Sequence, residues 1–155
     1  MQNNITKKNS TQKIAIIIFI AIFCVSIDRF LKILSSVYLK PTYIIENILQ
    51  FNFAKNYFIA FSIPFTGLIL NITITSILLF LIYHLVTVLK ENKIIYSSCL
   101  IFIILGTMSN LFDRLKYGYV IDYIDLKYFT VFNIADSMIV CAAACLILII
   151  LKEKK

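Results

Sequence analysis

Four long uncharged runs of apolar residues limit what this chain can fold into. They are Ile14–Ile27, Gly67–Leu89, Ile94–Phe112 and Ser137–Leu151. A helix needs about 20 residues, at about 1.5 Å each, to cross roughly 30 Å of hydrocarbon. The second and third runs reach that length alone, whereas the first and fourth reach it only by including Asp28 and Asp136. With 61% hydrophobic residues in 155, the chain is predicted to be a single polytopic membrane domain.

A different pattern fills the connection after the first helix. Leu49, Phe51 and Phe53 alternate with polar or small residues, a period of two that is typical of a half-buried strand. The predicted fold class is therefore an all-α membrane protein with four transmembrane helices and a small extracytoplasmic β-sheet, a cradle, after helix 1. The expected helices lie at about 14–34, 66–89, 94–113 and 131–151, with a disordered cytoplasmic lead at 1–13 and extracytoplasmic loops at 35–65 and 114–130.

Lysine density predicts the orientation of the helices. Residues 1–13, 90–93 and 152–155 carry eight Lys in 21 positions, whereas the longer segments 28–66 and 113–127 carry seven Lys or Arg. Because positive residues concentrate on the cytoplasmic side, both termini and the short turn at 90–93 are expected to be cytoplasmic. This arrangement accounts for the net charge of +7 without nucleic acid, since no basic face lies apart from the spans.

Half of the eight acidic residues fall between Gly106 and Asp136, in segments that are otherwise apolar. Acidic residues inside or beside a membrane span are costly and are commonly functional. Asp28, Asn110 and Asp136 lie 15, 17 and 16 residues from the nearest cytoplasmic Lys of their helices, which places all three about 22–26 Å from that surface. They are expected to share one layer near the outer interface.

The connection between the last two helices can bring another aspartate to that layer. Tyr119 and Tyr123 alternate there with Asp122, so a short strand is predicted to aim Asp122 opposite to the aromatic side chains. Two carboxylates held together at a partly dry interface cannot both ionise cheaply, so they share a proton. The charged member can then activate water while the protonated member polarises a carbonyl, as in aspartic proteases.

That chemistry needs no metal, cofactor, histidine or serine nucleophile. His84 is the only histidine, which is too few for a zinc protease or a Ser-His-Asp triad. The four cysteines lie in apolar runs and are expected to be small lipid-compatible residues rather than disulfides or metal ligands. Asn110, Asn133 and Arg114 are natural supports that would orient the acids and offset their charge.

Two further interpretations follow from the residues alone. Asp28 and Lys32 are four residues apart on one helix face and are interpreted as an interfacial ion pair. In this interpretation the lysine snorkels: its aliphatic part lies along apolar surface and its charged end reaches the membrane interface. A small ion-coupled membrane transporter would also place aspartates in spans, but it predicts polar residues deeper in the bilayer. The inner halves of the spans offer little beyond Thr73, Thr75, Ser76 and Ser97.

At these residues the chain resembles the lipoprotein signal peptidase (signal peptidase II) family. The family pattern is Asn-x-x-Asp-Arg, then Gly-x-Val-x-Asp, then Phe-Asn-x-Ala-Asp. Its matches here are Asn110, Asp113, Arg114, Gly118, Val120, Asp122, Phe132, Asn133, Ala135 and Asp136. The Asp-x-x-x-Lys of the family's first helix matches Asp28 and Lys32, and its Asn ahead of a small-residue and Phe turn matches Asn56, Ala60 and Phe61.

The resemblance implies an intramembrane aspartic endopeptidase of the bacterial inner membrane, with its active site near the outer leaflet. Such enzymes remove signal peptides from diacylglyceryl-modified prolipoproteins, use no metal or cofactor, and are inhibited by globomycin. Asp122 and Asp136 would be the catalytic pair. The supporting or substrate-binding residues would be Asn110, Asn133, Arg114, Asp113, Asn56, Asp28 and Lys32. The implied partners are lipid-modified prolipoproteins and membrane lipids, with no nucleic acid, and the expected working unit is a monomer.

Four positions depart from the family pattern. Arg29 replaces the usual Gln, Phe58 and Ile59 stand where the family prefers Gly and Ala, and Ser109 stands where it prefers Gly. Phe58 adds bulk in the loop expected to flank the substrate, so it bears on substrate preference and globomycin binding more than on the chemistry. The departures keep open a catalytically silent paralogue that binds lipoprotein without cutting it.

Overall fold

The structure is a computed structural model that describes residues 2–38, 40–57 and 67–153, with the side chains of residues 2–8 left out of the description. Within these ranges the chain forms four α-helices and four β-strands. In chain order they are α1 Gln2–Val37, β1 Thr42–Ile45, β2 Leu49–Asn56, α2 Gly67–Lys90, α3 Ile94–Tyr117, β3 Val120–Leu126, β4 Val131–Phe132 and α4 Ile134–Glu153. The predicted turn at Ala60 and Phe61, and the departures at Phe58 and Ile59, lie outside the described residues.

All four helices are long and apolar enough to cross a membrane, which confirms the predicted class. Their ends differ from the predicted ones. α1 begins at Gln2, so the prediction of a disordered lead is wrong over residues 2–13, where neither Gly nor Pro interrupts the helix. α3 continues to Tyr117 and ends at Gly118, whose φ of 80° is a left-handed conformation that favours glycine. α4 starts at Ile134 because the preceding residues form β4.

α3 is the central helix of the bundle. Half of its apolar window is buried, against 11–17% of the windows in the other three spans. One cluster, which includes Leu78, Leu100 and Ile104, packs α2 against α3, and a second cluster packs α1 and α4 on the same helix. Gly106 lets α4 approach closely, since a Cβ there would lie 2.8 Å from the backbone oxygen of Ala135. The outward faces carry exposed apolar side chains, as lipid contact requires.

One antiparallel sheet, in the order β1-β2-β3-β4, covers one end of the bundle. The period of two in β2 and β3 correctly predicted both strands. The sheet was predicted after helix 1 and a separate short strand in the second connection; in the structure β3 and β4 of the second connection belong to the same sheet. β2 pairs with β3 so that Ala54 lies opposite Asp122 and Asn56 opposite Val120. This pairing satisfies the backbone groups of both strands and fixes the position of Asp122.

Candidate active site

The nine predicted site residues come together in one place. They lie where the C-terminal parts of α1 and α3 meet β2, β3 and the N-terminus of α4. Hydrogen bonds or ion pairs between side chains connect Asp28, Lys32, Asn56, Asn110, Asp113, Asp122, Asn133 and Asp136. Arg114 interacts electrostatically with both Asp122 and Asp136. The shared layer expected from counting residues along the helices is therefore present.

Asn133 and Asp136 form a reciprocal cap at the start of α4. Asp136 donates its backbone N–H to Asn133 Oδ1 at 2.8 Å, and Asn133 donates its backbone N–H to Asp136 Oδ2 at 3.2 Å. An N-cap residue and an acid three positions later satisfy two otherwise unpaired backbone donors in this way. The cap therefore fixes the carboxylate of Asp136 at the positive end of the helix dipole, where a negative charge is stabilised.

Asp122 is held from two sides by amide groups. Asn56 on β2 donates from Nδ2 to Asp122 Oδ2 at 2.9 Å, and Asn133 donates from Nδ2 to Oδ1 at 2.6 Å. The side chain is almost fully buried, at 1% exposure. Burial and the nearby negative charge of Asp136 raise the pKa of Asp122 to about 7, although the two amides favour the ionised form. A carboxyl group that keeps its proton near neutral pH can donate a hydrogen bond.

One asparagine connects the two acids directly. Asn133 touches Asp122 through its amide nitrogen and Asp136 through its amide oxygen and backbone. Asn110 completes the link, since its Nδ2 donates to Asp136 Oδ1 at 2.8 Å and its Oδ1 accepts from Asn133 Nδ2 at 3.3 Å. The buried Asp122 carboxyl group and the partly buried Asp136 carboxylate thus share a network of amides that fixes their relative orientation.

A second group of charges lies behind this pair. Lys32 Nζ is 2.9 Å from Asp28 Oδ2 and 2.9 Å from Asp113 Oδ2, and all three side chains are fully buried. Arg29 also pairs with Asp113, so two cations balance two carboxylates. The interpretation of Lys32 as a snorkelling lysine is wrong, because its ammonium group also donates to Asn110 Oδ1 at 2.9 Å inside the protein. Lys32 therefore orients the same amide that binds Asp136.

Several contacts of Asp28 were not predicted from the sequence. Its carboxylate accepts from Ser109 Oγ at 2.7 Å, from the Tyr123 hydroxyl at 3.0 Å and from the Ala135 backbone N–H at 3.3 Å. Together with Lys32, these bonds join α1 to α3, β3 and α4. Ser109 and Arg29 had stood out only as departures from the family pattern. Their neighbours in sequence gave no sign of which carboxylate each would bind.

The remaining polar candidates lie away from this site. His84 is exposed on α2 and stacks on Phe80, with 6.4 Å between ring centroids. All four cysteines are free thiols. Among the described residues, no group of three or more His, Cys, Asp or Glu side chains is arranged to hold a metal ion. The carboxylates of Asp122 and Asp136 therefore remain the candidate site.

A bundle of membrane-spanning helices, capped by a sheet and holding two aspartates that asparagine amides link, defines a polytopic membrane protein with a two-carboxylate site. The family model described as signal peptidase (SPase) II matches residues 20–152. The chain belongs to the signal peptidase II family, as its motifs indicated, and is a multi-pass bacterial membrane peptidase.

Relatives and solved structures agree with this assignment. The lipoprotein signal peptidase of Caldanaerobacter subterraneus subsp. tengcongensis is 38% identical over 134 residues, which cover 83% of this chain and 91% of the relative. That of Halothermothrix orenii is 31% identical over 140 residues, or 88% and 95% of the two chains. A bacterial membrane enzyme solved by the in meso method at 1.9 Å resolution superposes with a TM-score of 0.75 at 25% identity, covering 90% of this chain and 94% of that one.

Proposed function

We propose that this peptidase is an intramembrane aspartic endopeptidase that removes signal peptides from diacylglyceryl-modified prolipoproteins, with Asp122 and Asp136 as its catalytic pair. The observation that carries the proposal is the amide network of Asn133, which holds the buried Asp122 carboxyl group and the partly buried Asp136 carboxylate in one fixed arrangement. The substrate class is supported by the relatives, which are lipoprotein signal peptidases.

The proposed reaction uses the two acids in different protonation states. Asp136, at the N-terminus of α4, acts as the carboxylate that takes a proton from water as the water attacks the scissile carbonyl carbon. Asp122, whose pKa is raised to about 7, donates its proton to the carbonyl oxygen. The tetrahedral intermediate then collapses as Asp136 passes its proton to the leaving amine and Asp122 regains its own. The chain ends formed are a carboxylic acid and an amine.

The other predicted residues take supporting roles in this proposal. Asn56, Asn110 and Asn133 orient the acids through the hydrogen bonds described above. Arg114 offsets the negative charge that the pair carries when ionised. Because one chain supplies the whole network, a monomer suffices as the working unit.

The sheet supplies a surface for the lipid-modified substrate. Tyr43 and Ile44 on β1 are 62% and 63% exposed, and Ile48 in the following turn is 58% exposed. Exposed apolar and aromatic groups of this kind favour the headgroup and acyl boundary of a membrane. With cytoplasmic lysines at both termini and at 90–93, the sheet and the acids lie at the outer leaflet of the bacterial inner membrane.

A transporter is less well supported by the inner parts of the spans. The hydroxyls of Thr73, Thr75 and Ser76 donate to backbone carbonyls four residues earlier in α2. α2 is continuous from Gly67 to Lys90, without the helix break that commonly forms transporter sites. These hydroxyls satisfy their own helix rather than lining a polar path.

Cleavage of a diacylglyceryl-modified prolipoprotein by the purified protein in detergent tests the proposal. We expect Asp122→Asn and Asp136→Asn each to lower the rate by roughly 10²- to 10⁴-fold, the range typical of a lost acid or base. Asp125→Asn is the matched control, since Asp125 lies on the same strand and binds Gln50 and Asn52 instead. It should keep most of the activity and its inhibition by globomycin.

Two outcomes would count against the proposal. Either Asp122→Asn or Asp136→Asn cleaving at the rate of the control would remove that residue from the catalytic pair. A folded wild-type protein that binds the modified prolipoprotein without cutting it would favour the silent paralogue.

A further inference from the structure

A cavity of about 240 Å³ lies at the end of the bundle opposite to the aspartates. Its walls include Ser10 and Thr11 of α1, Leu89 and Asn92 at the end of α2, and Ser97 of α3. Ser97 precedes Asn110 by 13 residues on one helix, which separates the two places by about 20 Å. The cavity is therefore not part of the carboxylate site.

Ser97 gives this cavity a polar group that the described residues do not satisfy. The residue is 1% exposed, and its Oγ has no hydrogen-bond partner in the described part of the chain. Its neighbour Ser98 behaves as helical serines commonly do and donates to Ile94 O at 2.7 Å. Buried hydroxyls in native proteins are nearly always hydrogen-bonded, to protein, water or a ligand, so Ser97 Oγ is open to a hydrogen bond with a group in the cavity.

The start of α3 adds backbone donors at the same place. α3 is 24 residues long, and Lys93 at its N-cap position makes no side-chain capping hydrogen bond. The first N–H groups of such a helix point out of its N-terminus, where the helix dipole is positive. A helix N-terminus with a nearby hydroxyl is a favourable place for an anion, above all a phosphate.

The turn between α2 and α3 carries a net positive charge, which complements a bound anion. Residues 90–93 carry Lys90, Glu91 and Lys93, a net charge of +1. Lys93 pairs with Glu91 at 2.8 Å, and the second carboxylate at this end, Glu153, accepts a hydrogen bond from the Tyr96 hydroxyl at 2.6 Å. Lys90 lines an adjoining open cavity of about 510 Å³ together with Val86, Leu89 and Asn92. The apolar side chains of this second cavity suit an acyl chain beside a phosphate.

We propose that this end of the bundle binds a phosphate group, with Ser97 Oγ and the N-terminal amides of α3 as donors. Its source in a membrane protein is the headgroup of an anionic phospholipid, with an acyl chain along Val86 and Leu89. Soluble phosphate offers the same chemistry, so the test distinguishes the two.

Native mass spectrometry of the full chain in detergent, titrated with phosphatidylglycerol and separately with inorganic phosphate, measures the binding. We expect Ser97→Ala to bind phosphatidylglycerol about 3- to 10-fold more weakly than wild type, the effect of one lost hydrogen bond. Ser98→Ala is the matched control and should bind as wild type does. Without lipid, Ser97→Ala should fold at least as stably as wild type, because it removes an unsatisfied hydroxyl.

Each result decides one part of the proposal. Weaker lipid binding by Ser97→Ala but not by Ser98→Ala supports the site and its lipid source. The same pattern with inorganic phosphate alone supports the site with a soluble ligand. Equal affinity in all three proteins, or no binding of either probe, would overturn the proposal.

Discussion

Replacing Asp122 by Asn should make the protein more stable at alkaline pH although it removes a catalytic group. Burial beside Asp136 raises the pKa of Asp122 from 3.8 to about 7. The folded protein therefore binds this proton more tightly than the unfolded chain does, and wild-type stability falls as the pH rises through that interval. Relative to strongly acidic pH, the loss of unfolding free energy is about 2 kcal/mol at pH 5 and about 4 kcal/mol at pH 8. An amide does not titrate and avoids this loss.

The substitution also has a pH-independent cost. Both contacts of the Asp122 carboxylate are with amide nitrogens, from Asn56 and Asn133, and an Asn side chain has only one acceptor oxygen. One mismatched donor costs about 1–3 kcal/mol. The difference in unfolding free energy between Asp122→Asn and wild type should still rise by about 2–3 kcal/mol from pH 5 to pH 8, because the mismatch cancels between the two conditions.

Thermal unfolding in detergent, followed by far-UV circular dichroism at both pH values, measures this change. For a chain of this size it corresponds to a gain in Tm of about 5–10 °C for Asp122→Asn relative to wild type. Asp125→Asn makes the same substitution elsewhere on β3 and provides the reference. A Tm difference that is the same at pH 5 and pH 8 would refute the claim that the Asp122 carboxyl is destabilised by its surroundings.

Three further substitutions test the packing and the buried charges. Lys32→Met leaves two buried carboxylates without their shared cation and should lower the unfolding free energy by about 3–5 kcal/mol. Lys93→Met removes an exposed ion pair with Glu91 instead and should leave Tm unchanged in the same thermal unfolding assay. Equal losses of stability in Lys32→Met and Lys93→Met would argue against a stabilising role of the buried ion pairs. Gly106→Ala places a Cβ 2.8 Å from the Ala135 oxygen and should cost about 1–3 kcal/mol by separating α3 from α4. If the Gly106→Ala variant keeps the wild-type Tm and cleavage rate, α3 and α4 can accommodate the added methyl group, which would contradict this expectation.

Sequence patterns predicted the features that depend on residues close together in the chain. Apolar runs identified the spans, and the period of two in β2 and β3 identified the strands. Counting along ideal helices placed Asp28, Asn110 and Asp136 at one depth, because each lies on a regular helix that starts from a charged end. The contact between Asn133 and Asp136 also follows from local geometry, since the two residues are three positions apart at the start of a helix.

Contacts between distant segments could not be predicted in this way. The pairing of β2 with β3 joins residues more than 60 positions apart, and no turn between the strands fixes its register. The bond from Tyr123 to Asp28 depends on that pairing. Lys32 would snorkel if its helix stood alone, and it is buried only because Asp113 on α3 supplies a second carboxylate.

The pH dependence of cleavage tests the central claim most directly. If Asp122 and Asp136 work as a pair that holds one proton, the rate with modified prolipoprotein should fall about tenfold per pH unit above about 7, as the proton of Asp122 is lost. A rate that stays constant or rises between pH 7 and pH 9 would contradict the shared proton and the aspartic mechanism built on it.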